Sequence, residues 1–320
     1  MNYRRLGSTD LHVSVIGLGT MSWPGCHFGQ NNAPASMDAQ NAVNTQLMAA
    51  LDSGINLVDT AQGYGRGLAE ELLGTMLRET GRRRDVILVT KVGPLFEDEI
   101  LGDRTTDLSA AFIRRSCESS LRRLQTECID LYLAHRPDPL TPIEETSRVM
   151  DELKKEGKIR WFGVSNFSNE QLGQAVACGA VAANQIPYSL ADRSIEKDRL
   201  PFCLQHQVGI MAYSPLGKGI LSGKYTTGHL PPADDYRHSR PHFSPEKLSR
   251  NLALASLTRE LAAGLGITPA QLVLAWALAR PGITTVLPGA KSVAQVLENA
   301  MAGTITLPES LVQTLEQASL

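Results

Sequence analysis

Short apolar runs that each stop at a polar residue recur along this chain, and no other feature limits its fold as strongly. Leu57-Val58 stops at Asp59, with Tyr64 a few residues on; Val86-Ile87-Leu88-Val89-Thr90 stops at Lys91; Leu131-Tyr132-Leu133-Ala134 stops at His135; Trp161-Phe162-Gly163-Val164 stops at Ser165-Asn166. Continuous apolar strands separated by helical periodicity predict a parallel sheet covered on both faces. If the sheet closes into a barrel, all those polar tips share one rim, the rim on which such barrels carry their active sites.

The rest of the chain fits that frame. Gly7-Ser8-Thr9-Asp10 between Tyr3–Leu6 and Leu11–Ser14 reads as a β-hairpin that would plug the barrel floor, and Val15–Thr20 as the first barrel strand. Helices are expected over Asp38–Leu51, Leu68–Leu77, Leu108–Leu124 and Pro142–Glu156, the last with its proline in the first turn. Further strands fall near Ala183–Gln185 and Ile210–Tyr213. Ser214 to Pro245, rich in Gly, Pro, Ser and His, reads as a long functional loop. Helices Lys247–Leu265 and Pro269–Arg280, a last strand Thr284–Leu287, a helix Ser292–Met301 and a C-terminal helix from Pro308 complete the chain. About eight strand–helix units without a compositional linker predict a single (β/α)8 barrel, a TIM barrel, over residues 1–320. An open doubly wound sheet is the weaker alternative, because Gly17-Leu18-Gly19 is followed by Thr20-Met21-Ser22 and not by a dinucleotide fingerprint.

Composition narrows the function. A net charge of -2 and 20% charged residues give no basic footprint for nucleic acid or an anionic membrane. The start, Met1-Asn2-Tyr3-Arg4-Arg5-Leu6-Gly7, carries no secretory apolar region and no apolar run spans a bilayer, so a cytoplasmic monomer or weak homo-oligomer is expected. The 5 cysteines are scattered without metal or redox spacing and read as reduced packing residues, Cys26 lying nearest the rim. Trp161 and Trp276 sit in apolar runs and are expected in the core.

Asp59, Tyr64, Lys91 and His135 make a chemical set. An ammonium beside a phenol favours the phenolate and lowers its pKa, and an aspartate keeps that ammonium charged and fixed. A neutral imidazole opposite can hold a carbonyl oxygen. Such parts suit reduction of an aldehyde or ketone, in which a developing alkoxide is stabilised and protonated. Since no side chain supplies hydride, the chemistry calls for a nicotinamide cofactor. No metal site is expected, because the other histidines have no companions at ligand spacing.

Asp59-Thr60-Ala61-x-x-Tyr64-Gly65, Thr90-Lys91, Asp130-Leu131-Tyr132-Leu133-x-His135, Lys158-Ile159-Arg160-x-x-Gly163-Val164-Ser165-Asn166-Phe167, Tyr213-Ser214-Pro215-Leu216 and Pro288-Gly289-Ala290-Lys291-x-x-x-Gln295-x-x-x-Asn299 together resemble the aldo-keto reductase superfamily. The branch resembled is the bacterial one of inositol-operon and general-stress reductases and of potassium-channel β-subunits. The resemblance implies an oxidoreductase acting on CH–OH donors, with NADPH (NADP+) as cofactor. It implies Tyr64 as proton donor, Lys91 and Asp59 as its tuning pair and His135 as the carbonyl-orienting residue. It implies Ser165, Asn166 and Gln185 on the nicotinamide carboxamide, Tyr213 stacked on its ring, and Gly19, Thr20, Met21 and Asp59 beside it. Ser214, Pro215, Leu216, Gly217, Lys218 and Lys224 fall to the pyrophosphate, and Gly289, Lys291, Gln295, Glu298 and Asn299 to the adenosine end. Trp23, just past the first strand tip, is placed either to wall the substrate pocket with Tyr64 and His135 or to pack under a loop.

One part of the adenosine end follows from the residues themselves. Ser292 with Gln295 is a capping-box pattern, so free N–H groups at a helix start, with Lys291 beside them, favour an anion such as a 2'-phosphate and hence NADPH over NADH. Lysine lacks the bidentate fork of arginine, which makes the preference milder. Two rival functions stand beside the reductase: an NADPH-binding regulatory or sensor subunit, and a metal-dependent barrel hydrolase, for which only His135 and Asp59 qualify as ligands. Substrate choice rests with the loops Met21–Met37, Phe96–Thr106 and the segment after Tyr213.

Overall fold

The computed structural model describes residues 1–27, 36–96, 98–100, 105–179, 181–232 and 234–319. Eight parallel strands form one sheet in chain order: β3 (Leu18–Gly19), β4 (Leu57–Asp59), β5 (Ile87–Val92), β6 (Ile129–Ala134), β7 (Ile159–Ser165), β8 (Ala183–Pro187), β9 (Gly209–Tyr213) and β10 (Ile283–Leu287). Parallel bridges Ile16–Val286 and Gly19–Gly289 bring the first strand against the last, which makes the sheet a (β/α)8 TIM barrel. Helices α1 (Met37–Asp52), α2 (Leu68–Thr80), α3 (Ala110–Leu124), α4 (Ile143–Lys155), α5 (Asn169–Cys178), α6 (Arg199–Gln205), α7 (Pro245–Gly264), α8 (Pro269–Ala279), α9 (Val293–Ala302) and α10 (Glu309–Ala318) follow the strands.

Alternation along each strand divides the core in two. Inward-facing Leu57, Val89, Leu131, Leu133, Met211 and Leu287 pack with Leu6, Leu11 and Val13, so the antiparallel hairpin of β1 (Tyr3–Arg5) and β2 (His12–Ser14) does plug the barrel. Outward-facing Val58, Leu88, Tyr132, Phe162 and Ile186 pack against the helices. The helix α8 is apolar on every side because it is buried among α7, α9 and β10. Among the described residues no single helix is long and apolar enough to cross a membrane.

Several boundaries differ from expectation, each for a local reason. The first barrel strand is shorter than Val15–Thr20: only Leu18 and Gly19 pair with β4, while Ile16 and the Gly17 N–H pair with Val286 on the other side. Pro142 is extended (φ -56, ψ 139) and precedes α4 as its cap, outside the first turn. Helices α5 and α6, which the pattern did not mark, are short, and α5 is started by a capping box of Ser168 and Gln171. The segment after Tyr213 contains 3-10 turns at Gly217–Ser222, Tyr236–Ser239 and Pro241–Phe243. Trp276 is in the core as expected. Trp161 is only partly buried, because its indole N–H donates to Asp10 at 2.8 Å and Lys154 covers its ring.

Candidate active site

The inward parity that fills the barrel with leucines carries one step further toward the strand C-termini. After Leu57, Val89, Leu133, Gly163, Ala183 and Met211 come Asp59, Lys91, His135, Ser165, Gln185 and Tyr213, all facing the same rim. Lys91 lies inside β5 and not past its end, as the sequence pattern suggested. An ammonium with no exposed surface at all can stay there only if it is fully paired. Its Nζ donates to Asp59 Oδ2 at 2.8 Å, to the Thr60 carbonyl at 2.7 Å and to the Tyr64 hydroxyl at 3.3 Å. The Tyr64 and His135 rings meet edge to face, 6.0 Å between centroids. The four residues far apart in sequence therefore converge.

Burial sets the electrostatics. Lys91 is opposed by burial, but Asp59 and then Tyr64 outweigh it and hold its pKa above the ordinary value. Burial, followed by the positive charges of Lys91 and Arg136, holds the His135 imidazole well below its usual pKa, so it is neutral near pH 7. Tyr64 departs from the sequence expectation. Lys91 does pull its pKa down, but burial pushes it up by more and Asp59 adds to the rise, leaving a phenol above its usual value.

A second chain of hydrogen bonds joins the expected carboxamide group to the first. Tyr213 donates to Asn166 Oδ1 at 2.9 Å, Asn166 Nδ2 to Ser165 Oγ at 2.9 Å, and Ser165 Oγ to the Gln185 carbonyl at 2.9 Å. Gln185 Nε2 donates to Asp59 Oδ1 at 2.7 Å, so one residue touches both groups, the first through its side-chain amide and the second through its backbone carbonyl. Asn166 holds a left-handed backbone (φ 64), which turns its side chain back over the strand end.

Around the rim, Gly19 bridges Gly289, and Thr20 is buried in the turn that includes Met21. Trp23 has no exposed surface and packs in the core under that turn. After β9, Ser214, Gly217, Lys218 and Gly219 are all left-handed (φ 54, 55, 58 and 94), coiling the Pro215–Lys218 stretch into a tight turn. Lys218 is held below its usual pKa by burial and by Arg240, and Lys224 by burial and by Arg237. Lys224 and Arg237 both lie over the Tyr225 ring. Burial and the charges of Lys291 and Arg237 lower the His27 pKa, which ties the strand-ten side of the rim to the loop after β9.

Lys291 is exposed at the start of α9 and Asn299 is buried. The expected capping box is only half formed. Ser292 accepts from the Gln295 amide, but the Gln295 side chain reaches past Ser292 to accept from the Lys291 N–H at 2.8 Å. The Glu298 carbonyl accepts from Gln271. The sequence reading did not single out Thr60, His27, Tyr225 or Arg237, whose roles depend on long-range proximity alone. Part of the loop Met21–Met37 (residues 28–35) and of Phe96–Thr106 (residues 97 and 101–104) lies outside the described residues. Cavities of about 420 and 620 Å³ open at the opposite, strand-N-terminal end, beside Gly209 and Ile283 and beside Ile87 and Asp130, and none of the candidate residues lines them. Among the described residues no three His, Cys, Asp or Glu side chains gather to hold a metal.

Barrel, plug and rim together are those of the aldo-keto reductases, and the chain belongs to that family: the model of the aldo/keto reductase family matches residues 15–319. It is 37% identical over 297 residues to the aldo-keto reductase YhdN of Bacillus subtilis, covering 92% of this chain and 87% of that one. It is 33% identical to the aldo-keto reductase yakc [NADP(+)] of Schizosaccharomyces pombe, covering 98% and 90%. Among solved structures, the glycerol dehydrogenase AKR11B4 of Gluconobacter oxydans superposes with a TM-score of 0.88 at 33% identity over 99% of this chain and 94% of that one. An aldo/keto reductase of Klebsiella pneumoniae, solved with NADP and acetate, superposes with a TM-score of 0.76 at 34% identity over 99% and 94%.

Proposed function

We propose that this protein is an NADPH-dependent oxidoreductase that reduces aldehydes or ketones to alcohols, with residues 1–320 acting as one barrel domain. The observation that carries the reading is the buried contact chain Asp59–Lys91–Tyr64 facing a neutral His135. Relatives named for NADP(+), or solved with NADP, support the choice of cofactor.

The residues fit such a cofactor. The Thr20 hydroxyl is fully buried at the β3 tip with no partner among the described residues, a cost unless a ligand satisfies it. Ser165, Asn166 and Gln185 offer amide and hydroxyl groups of the kind a carboxamide needs, and Tyr213 offers a ring face. The tight turn Ser214–Gly219 with Lys218 and Lys224 suits a pyrophosphate, and Lys291 with Arg237 and the start of α9 suits a 2'-phosphate. Gly289, Gln295, Glu298 and Asn299 border the adenosine end. When bound, the dihydronicotinamide supplies the hydride.

The chain's own residues do the rest. His135, neutral and buried, holds the carbonyl oxygen by a hydrogen bond and, with Tyr64, bounds the pocket, while the fully buried Trp23 supports the turn beside it. Tyr64 gives its hydroxyl proton to that oxygen as charge develops there. A raised pKa keeps the phenol protonated at neutral pH, the form a donor must have. Lys91, fixed by Asp59 and by the Thr60 carbonyl, stabilises the phenolate that remains. The experiment is a screen of NADPH oxidation against aldehydes, sugars, ketones and pyridoxal. Turnover of at least one carbonyl class is expected; tight NADPH binding with no turnover on any would contradict the reading and favour a sensor.

A further inference from the structure

On the outer side of β5, directly behind the rim, lies a carboxylate that the chemistry described above does not use. Glu70, in the first turn of α2, has no exposed surface, yet each of its two oxygens has a close partner. Its Oε1 accepts from the Thr90 hydroxyl at 2.5 Å and its Oε2 from Arg123 Nε at 2.7 Å. Thr90 precedes Lys91 on β5, so its outward contact fixes the strand segment whose inward side chain is the ammonium.

Arg123 acts on the other partner. Its Cδ and Nε stand 2.7 and 2.8 Å from where a Cβ of Gly67 would be, so the guanidinium stem lies flat against the turn that carries Tyr64. That turn is unusual: Gly65, Arg66 and Gly67 are all left-handed (φ 57, 52 and 99), a path that needs outside support. One buried carboxylate thus ties together the two segments whose Tyr64 hydroxyl and Lys91 ammonium sit 3.3 Å apart.

We propose that Glu70, through Thr90 and Arg123, is a positioning residue that sets the Tyr64–Lys91 separation and thereby the acidity of the proton donor. The proposal rests on Tyr64 being that donor. A buried ion pair of this kind is a poor source of stability, since removing two charges from water offsets most of their attraction, which leaves geometry as its return. The groups facing Tyr64 are Lys91 and Asp59, with His135 at its edge and Tyr213 beyond; those facing Glu70 are Arg123 and the Tyr132 phenol. None lies on the outer side of β5 except the last two, so the outer network reaches the donor only through the backbone.

The test uses Thr90→Val, which keeps the shape and removes the hydroxyl, beside Thr90→Ser and Glu70→Gln, with Tyr64→Phe as control. Loosening Lys91 from the phenol makes it a weaker acid. For Thr90→Val, kcat for carbonyl reduction should fall about tenfold and its alkaline limb should move to higher pH, while NADPH affinity by fluorescence titration and KM for the carbonyl stay within about twofold. Thr90→Ser recovers most of the loss, and Glu70→Gln moves both quantities in the same direction as Thr90→Val. If Tyr64→Phe is inactive but Thr90→Val has the wild-type kcat and pH limb, the positioning role is wrong and the donor assignment stands. If Tyr64→Phe itself turns over, the donor assignment fails whatever Thr90 does. Should Glu70→Gln not fold, Thr90→Val decides alone.

Discussion

At the scale of single residues, the account turns on what burial does to three ionisable groups. Lys91→Met removes the one influence that lowers the Tyr64 pKa, so kcat should fall and its alkaline limb should move upward; an unchanged pH profile would contradict the tuning. The same change strands the buried Asp59, which costs about 3 kcal/mol and should appear as a lower urea midpoint. His135 gives a second pH test. Its folded pKa lies well below the unfolded value of about 6.5, so between the two the unfolded chain binds more protons. Stability should therefore be full above that value and decline as pH falls below it, with His27 and His242 contributing in the same sense. A urea midpoint that does not drop between neutral and mildly acid pH would contradict a neutral, buried imidazole. The sequence made this set of residues legible but not the sign of the Tyr64 shift. A spacing pattern reveals that a lysine and a phenol approach; it cannot reveal that the solvent lost on burial outweighs the lysine.

At the scale of elements, helix packing and the start of α9 are open to test. Gly74 on α2 lies against α3 so closely that a Cβ would stand 2.4 Å from the Arg123 carbonyl oxygen and 2.5 Å from the Leu124 carbonyl carbon. Backbone cannot yield as a side chain tip does. Gly74→Ala should thus destabilise by about 1–3 kcal/mol despite its gain in helix propensity, read as a lower Tm. An unchanged or higher Tm would show that the helices part freely. At α9, Lys291→Ala should weaken NADPH more than NADH in titrations of each; equal losses would mean that Lys291 does not meet the 2'-phosphate. Elements were legible where apolar runs were long, as for β5 to β7. The ends misled where a charge stood inside a strand: Lys91 looks like a terminus until Asp59 is seen to pair it. Gln295 likewise fits a capping box by spacing, yet its amide travels one residue further.

For the whole molecule, the barrel was legible because parallel strands must be apolar on both faces, and that requirement writes continuous runs into the sequence. Its plug was legible too, from a turn cluster between two short strands. What the sequence withheld is the finer pairing between segments: Gln185 bonding Asp59, the charges of Lys291 and Arg237 acting on His27, Glu70 bracing the turn behind Tyr64. These pairs lie tens to hundreds of residues apart and leave no periodic mark. The rim they complete is nevertheless one chemical unit, and its core is the phenol. The measurement that meets the central claim most directly is NADPH-dependent carbonyl reduction by Tyr64→Phe beside the wild type, with NADPH affinity measured on both. The account predicts a loss of at least about 100-fold in kcat with affinity within about twofold, since phenylalanine keeps the ring and removes only the proton. Turnover by Tyr64→Phe near the wild-type rate would contradict it.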